Sequence, residues 1–257
     1  MADRAAARPK SSNSKGLGPQ ILPGFICIRP IVWYNPRMTQ TLLTTRYLKS
    51  IKSVWDTLHV LKPGSNNKKL GWKVSRGRHK GKRIFSLTLT ERETCPTSCH
   101  HWADCYGNNM PFAHRYNVNG LEDKLRDDIA KLMAKHKDGI LIRLHVLGDF
   151  YSVDYVEFWQ EMLLEYPKLA IFGYTARQDQ TNIGKAIWLL NNRFAERCVI
   201  RHSGNFEADT ITGWLYAAEE SFEGSSFDCP EQVGKVKSCA DCGLCWTAKK
   251  TVRFLSH

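Results

Sequence analysis

Apolar residues recur at regular intervals along most of the chain and predict an alternation of helices and strands. Between Thr41 and Leu61 the apolar positions return every three or four residues, which predicts an amphipathic helix that ends before Pro63-Gly64. From residue 83 onwards, short apolar runs alternate with segments of helical period. The predicted strands are Arg83–Leu89, Ile140–Val146, Leu169–Tyr174 and Cys198–Arg201, and the predicted helices are Leu121–His136, Val153–Leu164 and Ile183–Leu190.

This alternation predicts an α/β fold with a mainly parallel sheet that resembles a partial (β/α) barrel, because helical crossovers join parallel neighbours. Ligands of such folds gather at the carboxyl ends of the strands. The chain divides into four predicted parts: a flexible arm over 1–37, a basic helix with a loop or hairpin over 38–82, an α/β core over 83–225, and a Cys-rich metal module over 226–257. Met1 and Met38 are both candidate translation starts.

The composition is that of a globular protein and excludes a membrane-spanning helix. The 257 residues are 42% apolar and 24% charged, with a mean hydropathy of −0.39. No apolar run approaches the roughly 20 residues that cross a bilayer, and the N-terminus lacks the apolar core of a secretory signal. We therefore expect a soluble, cytoplasmic protein without membrane contacts.

Positive charge is concentrated in the first third of the chain. Residues 1–90 hold 18 Lys or Arg against 2 Asp or Glu, a net charge of +16, whereas the remainder carries −4. Such a stretch neutralises phosphates, and an aromatic ring within it can stack on a base, so we expect a nucleic-acid partner, DNA or RNA. A solvated basic loop is the alternative. The candidate contact residues are Lys68, Lys69, Trp72, Lys73, Arg76, Arg78, Lys80, Lys82 and Arg83.

Three cysteines follow the first predicted strand of the core, at Cys95, Cys99 and Cys105. Thiols stay reduced in the cytoplasm, so metal binding is the leading explanation of this group. Three thiolates can hold a [4Fe-4S] cluster and leave one iron open to a small molecule. Zinc is the alternative if His100, His101 or His114 supplies a fourth ligand.

A second group, near the C-terminus, provides four thiolates. It comprises Cys229, Cys239, Cys242 and Cys245. Four thiolates complete either a tetrahedral zinc site or a [4Fe-4S] cluster. The run Cys-x2-Cys-x2-Cys with a remote Cys-Pro favours a second cluster, because zinc ribbons usually offer two separated Cys-x2-Cys pairs.

The motifs around these groups resemble those of a known family. The segments are LTLTERETCPTSCHHWADCYGNNMPFAHR, IRLHVLGDFYS, IFGYTAR and CPEQVGKVKSCADCGLCW. Together they resemble the phage and bacterial Gene product 88 type of uncharacterised proteins, whose plan is similar to that of radical S-adenosylmethionine enzymes. This resemblance implies that Gly148 and Asp149, at the end of the second core strand, contact S-adenosylmethionine. Arg177, after the next strand, is a further candidate for cofactor binding.

Three functions remain open. The first is an iron-sulfur protein with one or two [4Fe-4S] clusters that binds nucleic acid through its basic segment, as a regulator or a phage or mobile-element accessory factor. The second is a radical S-adenosylmethionine enzyme acting on a nucleic acid or another polyanion. Five residues separate Cys99 from Cys105, where radical S-adenosylmethionine enzymes usually have two, and this interval and the uneven charge favour the binding protein. The three-cysteine group and Gly148-Asp149 at a strand end favour the enzyme. A zinc-braced nucleic-acid-binding protein is a further alternative.

Overall fold

A long, mostly parallel sheet runs through the residues that the computed structural model describes, which are 43–203, 216–219 and 226–255. The predicted arm over 1–37 and both candidate start residues lie outside these ranges. The strands are β1 (Ile51–Lys52), β2 (Lys62–Pro63), β3 (Arg83–Ser86), β4 (Arg115–Tyr116), β5 (Ile140–Leu144), β6 (Ala170–Thr175), β7 (Cys198–Ser203), β8 (Tyr216–Glu219), β9 (Ser226–Asp228) and β10 (Thr251–Phe254). The helices are α1 (Leu121–Lys135), α2 (Val153–Glu165), α3 (Asn182–Arg193) and α4 (Cys239–Cys242).

The main sheet is open and has the order β2-β3-β5-β6-β7-β8-β10-β9. All neighbouring strands are parallel except β2, which pairs antiparallel with β3. Strands β3, β5, β6 and β7 lie side by side in chain order, and α1, α2 and α3 connect them in turn. The predicted α/β class with a mainly parallel sheet is therefore confirmed, and the sheet is not a closed barrel.

Helices α2 and α3 each begin after a residue whose side-chain hydroxyl accepts a hydrogen bond from a free backbone N–H of the first turn. The Ser152 hydroxyl accepts from the N–H of Tyr155 at the start of α2. The Thr181 hydroxyl accepts from the N–H of Gly184 at the start of α3. Such caps typically stabilise a helix by about 1 kcal/mol.

One face of the sheet packs against the three long helices. Alternate strand residues such as Ile142, Leu144, Ile171 and Ile200 point to this face and are fully or almost fully buried. The helix side of this core includes Leu125, Ile129, Tyr155, Trp159, Ile187 and Leu190. It is the larger of the two cores and fixes the order of the central strands.

The opposite face packs against two segments that lie far apart in the sequence. Strand residues Leu141, Phe172 and Val199 contribute to this core. Leu70 and Val74 cover it from the basic segment, and Cys239, Ala240 and Trp246 cover it from the Cys-rich module. The basic segment also supplies β2, and the module supplies β9 and β10, so both continue the central sheet.

The helix predicted over Thr41–Leu61 is wrong for the residues described from 43 onwards. In its place are two single 3₁₀ turns, Leu48–Ser50 and Val54–Asp56, and the short strand β1. The buried Asp128 carboxylate of α1 accepts hydrogen bonds from the N–H groups of Val60 and Leu61, at 2.7 and 3.2 Å, and contacts the His59 ring at 2.9 Å. These tertiary hydrogen bonds outweigh the helical periodicity, and several of the apolar residues that make up that periodicity are exposed: Leu43, Leu48, Trp55 and Leu58.

Among the described residues, no helix combines the length and the apolar character that crossing a bilayer requires.

Candidate metal centres and nucleic-acid interface

The four cysteines of the second group line a single small cavity above the sheet. Cys239 and Cys242 stand one turn apart on α4, and Gly243 then adopts a positive φ of 77° that turns the chain back before Cys245. Cys229 follows β9 and is fixed by its N–H, which donates to the Arg253 carbonyl at 2.9 Å. The predicted grouping of these four residues is thus present in the structure.

Hydrogen-bond donors and cations surround this cavity. The Tyr174 hydroxyl donates to the Cys245 sulfur at 3.0 Å, and the Arg201 Nε donates to the Cys245 carbonyl at the same distance. Burial raises the pKa of the Cys239 thiol to about 12, while the nearby Lys69 and Arg143 charges act in the opposite direction. Burial also raises the pKa values of the Cys242 and Cys245 thiols. Metal uptake by these three protonated thiols would therefore release protons.

A zinc ion and a [4Fe-4S] cluster require different arrangements of the cysteine sulfurs. Within residues 43–203 and 226–255, no three His, Cys, Asp or Glu side chains stand close enough to surround one metal ion. A single zinc ion needs all four sulfurs within about 2.3 Å of one point. A [4Fe-4S] cluster binds each of the four thiolates at a different iron.

The first cysteine group lies on a loop that two buried arginines hold in place. Arg115 is fully buried, and its Nε donates to the buried Glu91 carboxylate at 2.6 Å. Its two Nη groups reach the carbonyls of Gly107, Met110 and Ala113 and the Ser50 hydroxyl, at 2.8 to 3.1 Å. The Arg115 guanidinium alone therefore holds the segment after Cys105 through several hydrogen bonds.

Arg92 performs the same task for the part of the loop between Cys99 and Asn108. It has a positive φ of 66°, which is uncommon for a residue with a side chain. Its Nε donates to the Trp102 carbonyl at 3.0 Å, and its Nη2 donates to the Asn108 side chain at 2.9 Å. The five residues between Cys99 and Cys105 thus form an ordered turn around the Arg92 side chain.

The three thiols of this loop are partly buried and influence one another. Burial, followed by the Asp149 carboxylate, raises the pKa of the Cys95 thiol to about 12, and the Cys99 and Cys105 thiols raise it as well. The pKa values of Cys99 and Cys105 are also raised, mainly by burial. The three histidines that could complete a zinc site, His100, His101 and His114, are exposed on the same loop.

Gly148, Asp149 and Arg177 lie at the carboxyl ends of β5 and β6, beside the first cysteine loop. A Cβ on Gly148 would come within 2.6 Å of both Leu89 and Thr94, so the close approach of this loop requires a glycine. The Asp149 carboxylate accepts from the Thr175 hydroxyl at 2.6 Å and from the N–H groups of Phe150 and Ala176 at 2.7 Å. Burial nevertheless raises its pKa to about 6.

Arg177 links this strand end to the cysteine loop. Its Nε donates to the Phe150 carbonyl and its Nη2 to the Thr94 carbonyl, both at 2.7 Å. Thr94 directly precedes Cys95, so the structure brings all three predicted cofactor residues to the first cysteine group. Their contacts show a structural role there, and binding of a cofactor stays a prediction.

Within the segment predicted as a loop or hairpin, the chain folds back on itself; we call residues 68–84 the basic hairpin. Lys73 bridges Arg83 in antiparallel fashion, and the N–H of Val74 donates to the Lys82 carbonyl at 3.0 Å. The Arg83 guanidinium lies 4.4 Å from the Trp72 ring, which remains 40% exposed. The exposed cations of the predicted set are Lys68, Lys73, Arg76, Arg78 and Lys80, whereas Lys69, Lys82 and Arg83 are half-buried.

This hairpin is hydrogen-bonded directly to the cysteine-bearing helix. The N–H of Cys239 donates to the Lys69 carbonyl at 2.7 Å, and the N–H of Ala240 donates to the Leu70 carbonyl at 3.0 Å. In return, the Ser75 N–H donates to the Ala240 carbonyl at 3.0 Å. Lys69 also pairs with Glu231 at 3.3 Å. The second cysteine group and the basic segment therefore form one structural element.

Sequence reasoning missed the residues that hold the first cysteine loop, namely Glu91, Arg92 and Arg115. Glu91 and Arg115 are 24 positions apart, and nothing in their spacing indicates that they pair. Arg92 offers no signal beyond its position three residues before Cys95.

Replacing Arg115 with Met is expected to lower the free energy of unfolding by about 3 to 5 kcal/mol, because the buried Glu91 carboxylate would lose its ion-pair partner and keep only the hydrogen bond from the Thr45 hydroxyl. Urea unfolding followed by circular dichroism measures this difference. Arg126→Met removes an exposed pair with Glu161 and is the matched control, with an expected loss of at most about 1 kcal/mol. Equal losses for the two variants would contradict the role assigned to Arg115.

Comparison with known proteins adds one finding to this geometry. The family model described as Gene product 88 matches residues 59–248, which include both cysteine groups, the basic hairpin and strands β3 to β7. No curated protein and no solved structure matches the chain significantly. The match confirms the resemblance inferred from the motifs, and the chain belongs to the Gene product 88 family.

Proposed function

We propose that the protein is an iron-sulfur protein that binds nucleic acid through its basic hairpin, with a radical-S-adenosylmethionine-like core. In this proposal the second cysteine group holds a [4Fe-4S] cluster, and the cluster fixes the hairpin on the sheet. A regulatory or phage or mobile-element accessory role, in the cytoplasm, is the function that such a protein would serve.

The observation that carries the proposal is the direct contact between the hairpin and α4. Backbone hydrogen bonds join Lys69 to Cys239 and Leu70 to Ala240, so any movement of α4 displaces the hairpin. A Cβ on Gly71 would come within 2.8 Å of Ala240, which shows how closely the two segments pack. The conformation of the basic segment thus depends on the cysteines being held together.

The four-cysteine cavity fits a cluster in its donors and in its surroundings. Cys229, Cys239, Cys242 and Cys245 supply one thiolate for each iron. The Tyr174 hydroxyl donates to the Cys245 sulfur, and hydrogen bonds to cluster sulfurs are among the groups that tune reduction potential. A bound cluster would supply structural bracing or a redox-sensitive contact. Zinc in the same cavity would brace the hairpin without redox chemistry and is the alternative occupant.

The exposed side of the hairpin fits a polyanion. The same hairpin carries five exposed cations (Lys68, Lys73, Arg76, Arg78 and Lys80) and the partly exposed Trp72 ring. Contacts between lysine or arginine and phosphate give affinity without sequence specificity, and an aromatic ring can stack on an unpaired base. This combination supports binding of single-stranded nucleic acid.

The second candidate function is a radical S-adenosylmethionine enzyme. One arrangement favours it: the three-cysteine loop follows β3 and lies beside Gly148 and Asp149 at the end of β5. S-adenosylmethionine bound at an open iron would supply the radical chemistry. Gly148, Asp149 and Arg177 would then position the loop that carries the cluster.

Replacing Cys242 with Ser is expected to remove metal from the second site and to lower nucleic-acid affinity at the same time. Metal binding to such a small module is largely its folding energy, so the hairpin loses its support when the metal leaves. Iron, zinc and sulfide are counted per chain after anaerobic purification, and affinity is measured by fluorescence anisotropy with a labelled oligonucleotide.

Cys198→Ser is the control for this experiment. Cys198 is a buried cysteine outside both groups whose thiol donates to the Asn191 side chain, a bond that a serine hydroxyl can replace. We expect its metal content and affinity to match those of the unaltered protein. Unchanged metal content in Cys242→Ser would refute the second site, and unchanged affinity after metal loss would refute its coupling to the hairpin.

Neutralising the exposed hairpin cations is expected to flatten the salt dependence of nucleic-acid binding. A variant with Lys68, Lys73, Arg76 and Lys80 replaced by Gln removes four charges and leaves Lys69, Lys82 and Arg83 in their structural contacts. Each lost phosphate contact lowers the slope of log affinity against log salt by about 1. The control variant, with Lys49, Arg126, Lys131 and Lys185 replaced by Gln, loses the same charge outside the hairpin. Equal salt slopes for the hairpin variant and the control would exclude the hairpin as the binding surface.

Electron paramagnetic resonance of the reduced protein separates the two candidate functions. If an open iron binds S-adenosylmethionine, adding the compound changes the cluster spectrum, and Cys95→Ser abolishes the change. An unchanged spectrum in a protein that contains iron would reject the enzyme and leave the binding protein.

A further inference from the structure

Parallel strands place their starting points at the same edge of the sheet, and several cations meet there. We call this the amino edge: the hairpin tip 76–82 before β3, and the turns 135–139, 166–169 and 193–197 before β5, β6 and β7. Its cations are Arg76, Arg78, Lys80, Lys82, Lys135, Lys137, Lys168, Arg193 and Arg197, and its acids are Asp138 and Glu196. Five of these cations come from the part of the chain whose net charge is negative.

Contacts within the amino edge tie the hairpin to the turns. The Lys82 ammonium donates to the Asp138 carbonyl at 3.4 Å and to the Lys168 carbonyl. The Lys168 ammonium donates in turn to the Lys137 carbonyl at 2.9 Å. Arg78 pairs with Glu196 at 3.8 Å. These contacts bring the four segments of the amino edge next to one another.

These cations are packed closely enough to repel one another. Burial, followed by the Lys82, Arg78 and Arg197 charges, lowers the pKa of the buried His79 to about 4. Burial, followed by the Arg197 and Lys168 charges, also lowers the pKa of Lys82. An anion bound at this surface would reduce the repulsion between the neighbouring cations.

The last turn of the edge forms a shallow depression. Its lining consists of Arg193, Phe194, Ala195, Glu196 and Arg197. Arg193 is exposed, and its guanidinium lies 5.6 Å from the Phe194 ring. The Arg197 guanidinium donates to the carbonyls of Leu163, Tyr166 and Leu169 at 2.9 to 3.2 Å, which holds Arg197 against the preceding turn.

We propose that the amino edge is the second half of the nucleic-acid interface, so that a phosphate backbone crosses from the hairpin tip over Lys168 to the depression at Arg193. This inference rests on the proposed function and extends it to residues from the turns before β6 and β7. The two halves are continuous, because Lys82 joins the hairpin to the turn that contains Lys168.

The test compares two double variants with the same loss of charge. The edge variant carries Lys168→Gln and Arg193→Gln, both at exposed positions. The control carries Lys49→Gln and Lys185→Gln, of which Lys185 lies near the amino end of the same helix α3 whose carboxyl end holds Arg193. Affinity for labelled single-stranded DNA, single-stranded RNA and duplex DNA is measured by fluorescence anisotropy over a series of salt concentrations. Thermal unfolding checks that both variants remain folded.

We expect the salt slope of the edge variant to fall by about 1 for each lost contact, with an unchanged slope in the control. Equal slopes in the two variants, in a protein that does bind, would overturn the amino edge and leave the proposed function standing. If the unaltered protein binds none of the three oligonucleotides, both proposals fail. Binding to vesicles of anionic phospholipid without binding to oligonucleotides would likewise overturn both.

Discussion

The sheet has to be covered on both faces, and this requirement governs how the rest of the chain is arranged. A parallel sheet with one exposed apolar face would leave Leu141, Phe172 and Val199 in water. The helices α1 to α3 cover only the other face. Because the Cys-rich module and the basic segment supply the missing cover together, neither can leave without exposing a core to solvent. The cysteines consequently sit where a metal could stabilise the whole fold.

Buried guanidinium groups order long loops that contain little apolar surface. Arg115 binds three backbone carbonyls after Cys105, and Arg201 binds carbonyls around Cys245, including that of Cys245 itself. Both side chains are fully buried. A guanidinium has five donors in a rigid plane, so one residue can replace several backbone partners. The same device therefore orders the two cysteine groups.

The central helices and strands could be predicted from the sequence because their periodicity is local and agrees with their burial. The segment before residue 61 could not, since its backbone donors bond to Asp128, more than sixty positions away. For the site, residue type and spacing identified the cysteines and the hairpin cations. Their packing against one another was not predictable, because Ser75 and Ala240 are separated by 165 positions. Buried ion pairs such as Glu91 with Arg115 leave no periodic signal at all.

The topology also explains why net charge along the sequence is an incomplete guide to charge on the surface. The part of the chain after residue 90 is net negative, yet its cations before β6 and β7 adjoin the basic hairpin. Parallel strands force this result, because every crossover returns the chain to the same edge before the next strand begins. Conversely, three cations of the basic stretch contact other parts of the protein. Lys69 pairs with Glu231, Lys82 donates to turn carbonyls, and Arg83 lies over the Trp72 ring. Fold topology therefore decides which cations remain available to a partner.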